Sequence, residues 1–430
     1  MAKSRTIRDG GSAVAGGGLL SRRKLLKGAA LGGTAAALSQ GVIEAVHAEA
    51  EPPDWATLPG EEVRGYGLPA PQEADVKRTQ FQIYEDLSPE FGFSGTPLQK
   101  LRGSITPNGL HFEVHHGGRP EIAPEQHRLM IHGLVERPLQ FDLASLDRYP
   151  MVSRVHFIEC AGNGFLNAVE PEPQDVGLDV LAGLVSNAEW TGVPLSILME
   201  EAGVKTEGKW VIAIGADAAG LSRSIPMEKI LADGMLALHQ NGERIRPEQG
   251  YPMRTLLPGY EGNMNVKWVT SLQVASQPAF TRDESGAYSD PLPDGRAVRF
   301  SFAMGVKSVI THPSGTMTMN GPGLYEISGL AWSGGGAIAR VEISADGGTS
   351  WADADLQQPV QSKALTRFTI PWRWDGSPTR LLSRATDSKG RTQPTRAAWK
   401  ARYHPTNINH YNAIQAWDVT PEGKVANAYA

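Results

Sequence analysis

Val155-His156-Phe157-Ile158-Glu159-Cys160-Ala161-Gly162-Asn163-Gly164 is the stretch on which the reading of this chain turns. Its first half is an apolar, β-rich run that stops at a turn of small residues, where backbone can approach a ligand closely. A strand end feeding a glycine turn is a usual address for a functional site. Cys160 is also the only cysteine among 430 residues. One thiol cannot make an internal disulfide, a C-x-x-C-H haem attachment, a four-thiolate iron–sulfur cluster or a Cys-rich zinc site. Any redox cofactor therefore takes at most one sulfur ligand from the protein. No haem is expected in this chain, so any metal oxidised or reduced here would have to exchange electrons with another protein.

Working outward from this stretch, residues 1–48 belong to a different physical class. Ser21-Arg22-Arg23-Lys24-Leu25-Leu26-Lys27 is a twin-arginine signature, followed by a Gly/Ala-rich run over 28–38 and small residues at Val46 and Ala48. This pattern predicts a signal peptide removed after Ala48 and a periplasmic protein exported folded by the twin-arginine route. The run is too short for a membrane span, which needs about 20 apolar residues. In an oxidising compartment an unpaired thiol is buried and inert or committed to a ligand, and the glycine turn favours commitment. Residues 49–430 hold 34 basic and 44 acidic side chains, a formal −10. That balance argues against nucleic acid, whose binding rests on phosphate neutralisation, and favours a basic protein partner. No membrane association is expected.

The mature chain divides by texture. Residues 49–95, rich in Pro, Glu and Gly, read as an extended arm. Residues 96–290 alternate strand-like runs (129–134, 210–214, 253–257, 266–274) with short helical patterns (194–202, 227–231), giving an α+β domain. Neither a G-x-G-x-x-G after a strand nor a P-loop is present, which removes support for nucleotide chemistry by those routes. Residues 291–403 are all-β, with runs at 323–330, 338–344, 367–370 and 380–386, and suggest an immunoglobulin-like sandwich. Residues 404–430 read as a C-terminal tail.

Glu159-Cys160-Ala161-Gly162-Asn163 resembles the cysteine motif of the sulfite oxidase family of molybdenum enzymes. The family's further segments follow in order. They are Gly215-Ala216-Asp217 with Ser224-Ile225-Pro226-Met227, then Gln249-Gly250-Tyr251-Pro252-Met253-Arg254, then Gly262-Asn263-Met264-Asn265-Val266-Lys267-Trp268. Val341-Glu342-Ile343-Ser344-Ala345-Asp346-Gly347-Gly348, with Trp351 after it, is similar to the family's dimerisation sandwich. The resemblance spans about residues 96–403. It implies a mixed α+β molybdopterin-binding domain followed by the sandwich, and a homodimer formed through the latter, so that deletion from Ala297 onward would yield a monomer. It also implies Cys160 as the one protein ligand of molybdenum, and His116, Asn163, Asp217, Ser224, Arg254 and Lys267 around the molybdopterin cofactor. The chemistry agrees: a thiolate is a soft ligand for the metal, Arg254 offers a bidentate fork and Lys267 a point charge for a pterin phosphate. Tyr288, in the family's active-site tyrosine segment after Arg282, is assigned to catalysis at the water face.

Departures from the family pattern bear on substrate. Val114 stands where many sulfite oxidases carry arginine before the Asn-His or His-His pair, here His115-His116. Gly164 and Phe165 stand where relatives carry arginines, and Gln249 replaces a histidine. Dianionic sulfite is best held by guanidinium forks, so a larger, less charged sulfur substrate fits better. This combination resembles the sulfane dehydrogenase branch of the family (SoxC type). The resemblance implies oxidation of a sulfane sulfur on a carrier-protein cysteine during thiosulfate oxidation, with electrons passed to a c-type cytochrome subunit. Three alternatives stand beside it. A periplasmic sulfite dehydrogenase shares the fold, and a sulfoxide-reducing subunit would typically lack the sandwich. A non-enzymatic module would bind copper or zinc through His111, His115 and His116, although a strand puts the last two on opposite faces.

Overall fold

The computed structural model describes residues 13–21, 57–60, 62–81 and 92–430. Most of the expected signal peptide, with its arginine pair and cleavage site, lies outside the described residues. Among the described residues no helix is long and apolar enough to cross a membrane.

The described part of the arm does not simply trail over the surface. Strand β1 (Thr79–Phe81) pairs with β2 (Gly92–Gly95), which pairs in turn with β3 (Glu113–His115). Two five-stranded sheets follow. Their strands are β4 (Leu129–Gly133), β5 (Leu139–Phe141), β6 (Val152–Glu159), β7 (Val185–Pro194), β8 (Trp210–Gly215), β9 (Ser222–Pro226), β10 (Met235–Gln240), β11 (Glu243–Arg244), β12 (Arg254–Leu256) and β13 (Val269–Ala275). One sheet runs β11-β10-β7-β6 with β12 on β10, and the other runs β5-β4-β13-β8-β9. The helices Leu195–Ala202 and Met227–Asp233, each begun by a proline at its N-cap, help fill an apolar core with Leu129, Ile131, Val211, Leu236 and Leu272. The α+β expectation matches this domain.

After the short pair β14 (Asp290–Pro291) and β15 (Ala297–Val298), the chain builds a two-sheet sandwich. Its strands are β16 (Lys307–His312), β17 (Gly323–Trp332), β18 (Ile338–Ser344), β19 (Ala352–Asp353), β20 (Asp355–Leu356), β21 (Thr366–Trp374), β22 (Thr379–Asp387), β23 (Gln415–Val419) and β24 (Val425–Tyr429). The sheets are β16-β17-β21-β20 and β19-β18-β22-β23-β24. Residues 404–430 are therefore not a tail. They include two full strands, and Trp417 is buried in the sandwich core beside Trp332 and Trp372.

The two domains share one core. Leu98, Phe157, Leu178, Leu181 and Val185 of the first pack in the same cluster as the sandwich tryptophans, and the Phe157 amide donates to the Lys363 carbonyl at 3.1 Å. Deletion from Ala297 would therefore strip the first domain of part of its own core, so it cannot report association cleanly.

Candidate functional site

Strand ends converge on one cleft. Cys160 follows β6, His116 follows β3, Asp217 follows β8, Arg254 opens β12 and Lys267 precedes β13. These residues line an open cleft together with Val114, Gln249, Asn263, Asn265, Trp268 and Tyr288. The turn after Cys160 is made by Gly164 at φ 99°, where a Cβ would come within 2.9 Å of the Tyr411 ring. The Cys160 amide donates to the Leu184 carbonyl at 2.9 Å, so the thiol is aimed by backbone. Burial pushes the thiol up to about 11, so a cation must bind it for the thiolate to form at neutral pH.

Both cations of the cleft are held by backbone carbonyls, while the carboxylates of Glu113, Asp217 and Glu248 act on Lys267 from farther off. Arg254 is 3% exposed and donates to the carbonyls of Gln249 (2.9 Å) and Asn265 (2.8 Å), while its Nε has no partner. Burial pushes its guanidinium down to about 9. A backbone bridge sets Lys267 directly across from it. The Lys267 ammonium donates to the carbonyls of Val114 (3.0 Å) and Glu248 (3.1 Å) and contacts His115 Nδ1 at 3.1 Å. Burial, with the Arg254 charge, pushes it down to about 7. Two adjacent cations held by carbonyls, with one nitrogen orphaned, are electrostatically incomplete. Together with the Cys160 thiol they fit a pterin that carries both a metal and a terminal phosphate.

This geometry has a consequence for pH. In the cofactor-free protein Lys267 is neutral above about pH 7, whereas in the unfolded chain it stays protonated to its ordinary value near 10.5. The unfolded state then binds more protons across that window, so stability rises with pH by at most about 1.4 kcal/mol per unit. We expect denaturant titrations between pH 7 and 9 to show this rise. Inorganic phosphate should flatten it by keeping the ammonium charged, and Lys267→Met should lack it. An identical slope in that variant would refute the assignment.

Other expected site residues fall differently. His116 faces the cleft with its Nε2 3.3 Å from the Tyr288 hydroxyl, and burial holds its imidazole below the usual value, hence neutral at pH 7. Tyr288 lies under the Arg223 guanidinium, 4.7 Å from ring centre to carbon, and burial raises its hydroxyl well above the usual value. A π-helical turn over Asp283–Ala287 leads into Tyr288, which lines the cleft. Asp217 lines the cleft and accepts the Leu221 amide at 3.3 Å. Two expected cofactor contacts point elsewhere. Ser224 is fully buried and exchanges hydrogen bonds with the Ala279 backbone, and Asn163 is clamped between Glu159 and the Leu184 amide. Arg282 lies largely in solvent against Asp283. Gln249 donates to the Phe112 carbonyl at 2.8 Å and so props β3 against the Arg254 loop.

The three histidines do not form a metal site. His111 is buried against Phe112 and Trp190, His115 pairs with Glu113 and Lys267, and His116 turns to Tyr288. Among the described residues no group of three metal-ligating side chains converges.

Sequence reasoning missed the support beneath Cys160. Glu159 is 1% exposed and accepts from Asn163 Nδ2 (2.9 Å), Lys307 Nζ (3.1 Å) and Trp332 Nε1 (2.7 Å), the last two from the sandwich. Lys307→Met would leave that carboxylate buried without its counter-charge. We expect a loss of about 3 kcal/mol by chemical denaturation. A loss below about 0.5 kcal/mol would mean the ion pair does not brace the turn. Arg223 and Glu284, a buried pair at 3.1 Å against the Tyr288 ring, were also missed: Arg223 falls just before the Ser224-Ile225-Pro226-Met227 segment, and Glu284 stands in the tyrosine segment with no role that its residue type announces.

Comparison with known proteins agrees with this picture. Residues 116–282 match the oxidoreductase molybdopterin binding domain, and residues 299–417 match the Mo-co oxidoreductase dimerisation domain. The chain is 31% identical over 339 residues to the sulfite oxidase of Gallus gallus, covering 72% of this chain and 73% of that protein. It is 29% identical over 356 residues to the mitochondrial sulfite oxidase of Rattus norvegicus, covering 75% of this chain but only 64% of that longer protein. Among solved structures it is similar to the sulfane dehydrogenase SoxCD from Paracoccus pantotrophus, with a TM-score of 0.85 and 45% identity over 88% of this chain and 98% of that one. A lone thiol at a strand end, a paired-cation cleft, and both domain matches in the same order place this chain in the sulfite oxidase family of molybdopterin oxidoreductases.

Proposed function

We propose that this protein is the molybdenum subunit of a periplasmic sulfane dehydrogenase. It oxidises a sulfane sulfur held on a carrier-protein cysteine and hands the electrons to a c-type cytochrome subunit. The observation that carries this reading is the apolar side of the cleft, where Phe112, Val114 and Ile158 line it with Cys160 and a phenylalanine cluster backs Val114. Val114 stands opposite Phe93 in the β2–β3 register, and both pack with Phe81 in the cluster that Cys160 joins. Phe165 stands edge-on to Phe93 at 6.5 Å. Such a wall desolvates a small dianion without compensating it, whereas it accommodates a less charged sulfur chain. Likeness to the SoxCD structure supports the same choice.

When bound, the cofactor supplies a metal that takes up electron pairs and a route for water oxygen to reach sulfur. Cys160 would hold it by its one thiolate, while Arg254 and Lys267 would hold its anionic end. Each oxygen added takes one water and releases two protons and two electrons. His116, neutral and in contact with the Tyr288 hydroxyl, is placed to receive a proton through that hydroxyl. The sandwich serves a homodimer to which the cytochrome adds. Steady-state kinetics with carrier-bound sulfane and with free sulfite, using a cytochrome acceptor, test the reading. Efficient use of free sulfite alone would replace it by a sulfite dehydrogenase.

A further inference from the structure

The N-terminal residues 13–21, which belong to the expected leader, are docked on the sandwich. Ala13 bridges Leu20 and the Val14 amide donates to the Leu19 carbonyl at 3.0 Å, closing a small hairpin over Gly16-Gly17-Gly18. The hairpin lies along β21. The Leu20 amide donates to the Pro371 carbonyl (3.0 Å), the Arg373 amide to the Gly18 carbonyl (2.9 Å), and Trp372 Nε1 to the Gly17 carbonyl (2.7 Å). Leu19 has no exposed surface and sits in the same core as Trp372. Gly17 and Gly18 have φ of 66° and 86°. A Cβ on them would meet the Ala345 carbonyl oxygen at 2.1 Å and the Arg373 carbonyl oxygen at 2.0 Å. The contact is thus specified in detail, by glycines that fit and a leucine that is swallowed.

On the same edge of β21, the short strand β20 covers only Phe368 and Thr369, so the hairpin completes an otherwise open strand edge. Nine residues with three consecutive glycines cannot hold this shape alone, because backbone entropy exceeds what so few contacts return. The hairpin therefore forms only on a sandwich that has already folded, and Arg22-Arg23 follow it directly.

We propose that residues 13–21 are an intramolecular clasp: the occupant of the β21 edge in the precursor is the chain's own leader, and removal of the leader opens that edge. The proposal rests on reading residues 1–48 as removable. Hydrogen exchange on the full-length chain, read at the Arg373 amide, tests it. Leu19→Asp and Gly18→Val should each speed exchange at Arg373 by at least about tenfold, because exchange then needs no opening of the clasp. A chain starting at Glu49 should show the same fast exchange at Arg373, with amides of β22 and turnover unchanged in all three. Equal exchange at Arg373 in wild type and both variants would overturn the clasp. N-terminal sequencing of the exported chain separates the two readings. A chain that begins at Glu49 supports removal, while one that keeps Ala13 and a protected Arg373 overturns the opening of the edge and leaves the docking intact.

Discussion

Replacement of Cys160 by serine is expected to abolish turnover while leaving the fold in place. The thiol sulfur accepts from the Gly162 backbone, a contact that a serine oxygen can keep. The backbone around it is held by the Cys160 amide on the Leu184 carbonyl and by the Asn163 amide on the Cys160 carbonyl, and serine preserves both. What changes is the ligand. An alkoxide is harder and more basic than a thiolate, so it binds a soft-ligand metal poorly and moves its potential. Phosphate and pterin would still be held by Arg254 and Lys267, which do not touch the thiol. We expect kcat to fall by at least about a thousandfold, equivalent to roughly 4 kcal/mol of barrier. Pterin should remain measurable by fluorescence after extraction, and the unfolding midpoint should move little. A Cys160→Ser enzyme with normal kcat would end the assignment of this residue as the metal ligand.

The second large effect concerns substrate choice. Val114 is half-buried on β3, faces Phe93 across the strand pair and lines the cleft. Arginine there would put a guanidinium into the apolar wall beside Cys160, where it can fork onto two sulfite oxygens. Wild-type enzyme is expected to turn over free sulfite poorly, with kcat/KM below roughly 10⁶ M⁻¹s⁻¹, and to work well on sulfane sulfur tethered to a carrier, where effective concentration offsets weak intrinsic binding. Val114→Arg should raise kcat/KM for sulfite by about tenfold or more and lower it for the tethered substrate by a similar factor, since one good ionic contact is worth about 1.5–3 kcal/mol. Should wild type already exceed 10⁶ M⁻¹s⁻¹ with sulfite, the sulfane reading is wrong. If Val114→Arg changes neither substrate, the wall is not where sulfur binds.

Several features of this protein were decided by sequence alone because the signals are local. The run from Val155 to Gly164 reads as a strand stopping at a ligand turn from its own residue types, and β6 ends at Glu159 with Cys160 next. Alternation predicted strand 338–344, which is β18 residue for residue, and the helical patterns at 194–202 and 227–231 fall on the helices Leu195–Ala202 and Met227–Asp233. A single cysteine and the lack of a haem motif are counted, not folded.

Other features depend on where distant segments meet, which no local pattern carries. Ser224 and Asn163 are polar residues in the right motifs, yet register turns one toward the Ala279 backbone and the other toward Glu159, away from the cleft. A strand's pattern gives two faces but not which neighbour covers each. Glu159 is braced by Lys307 and Trp332 from 148 and 173 residues away, and Phe93 reaches the Cys160 wall only because β2 pairs with β3. Residues 415–429 are strands because β22 offers an edge for them, and Leu19 is buried because β21 does. The sequence by itself determined the chemistry available to this protein, since that lies in residue types and their order. Only the tertiary structure decided which of those groups face one another, because side-chain direction and burial are set by long-range packing that closes after the local elements have formed.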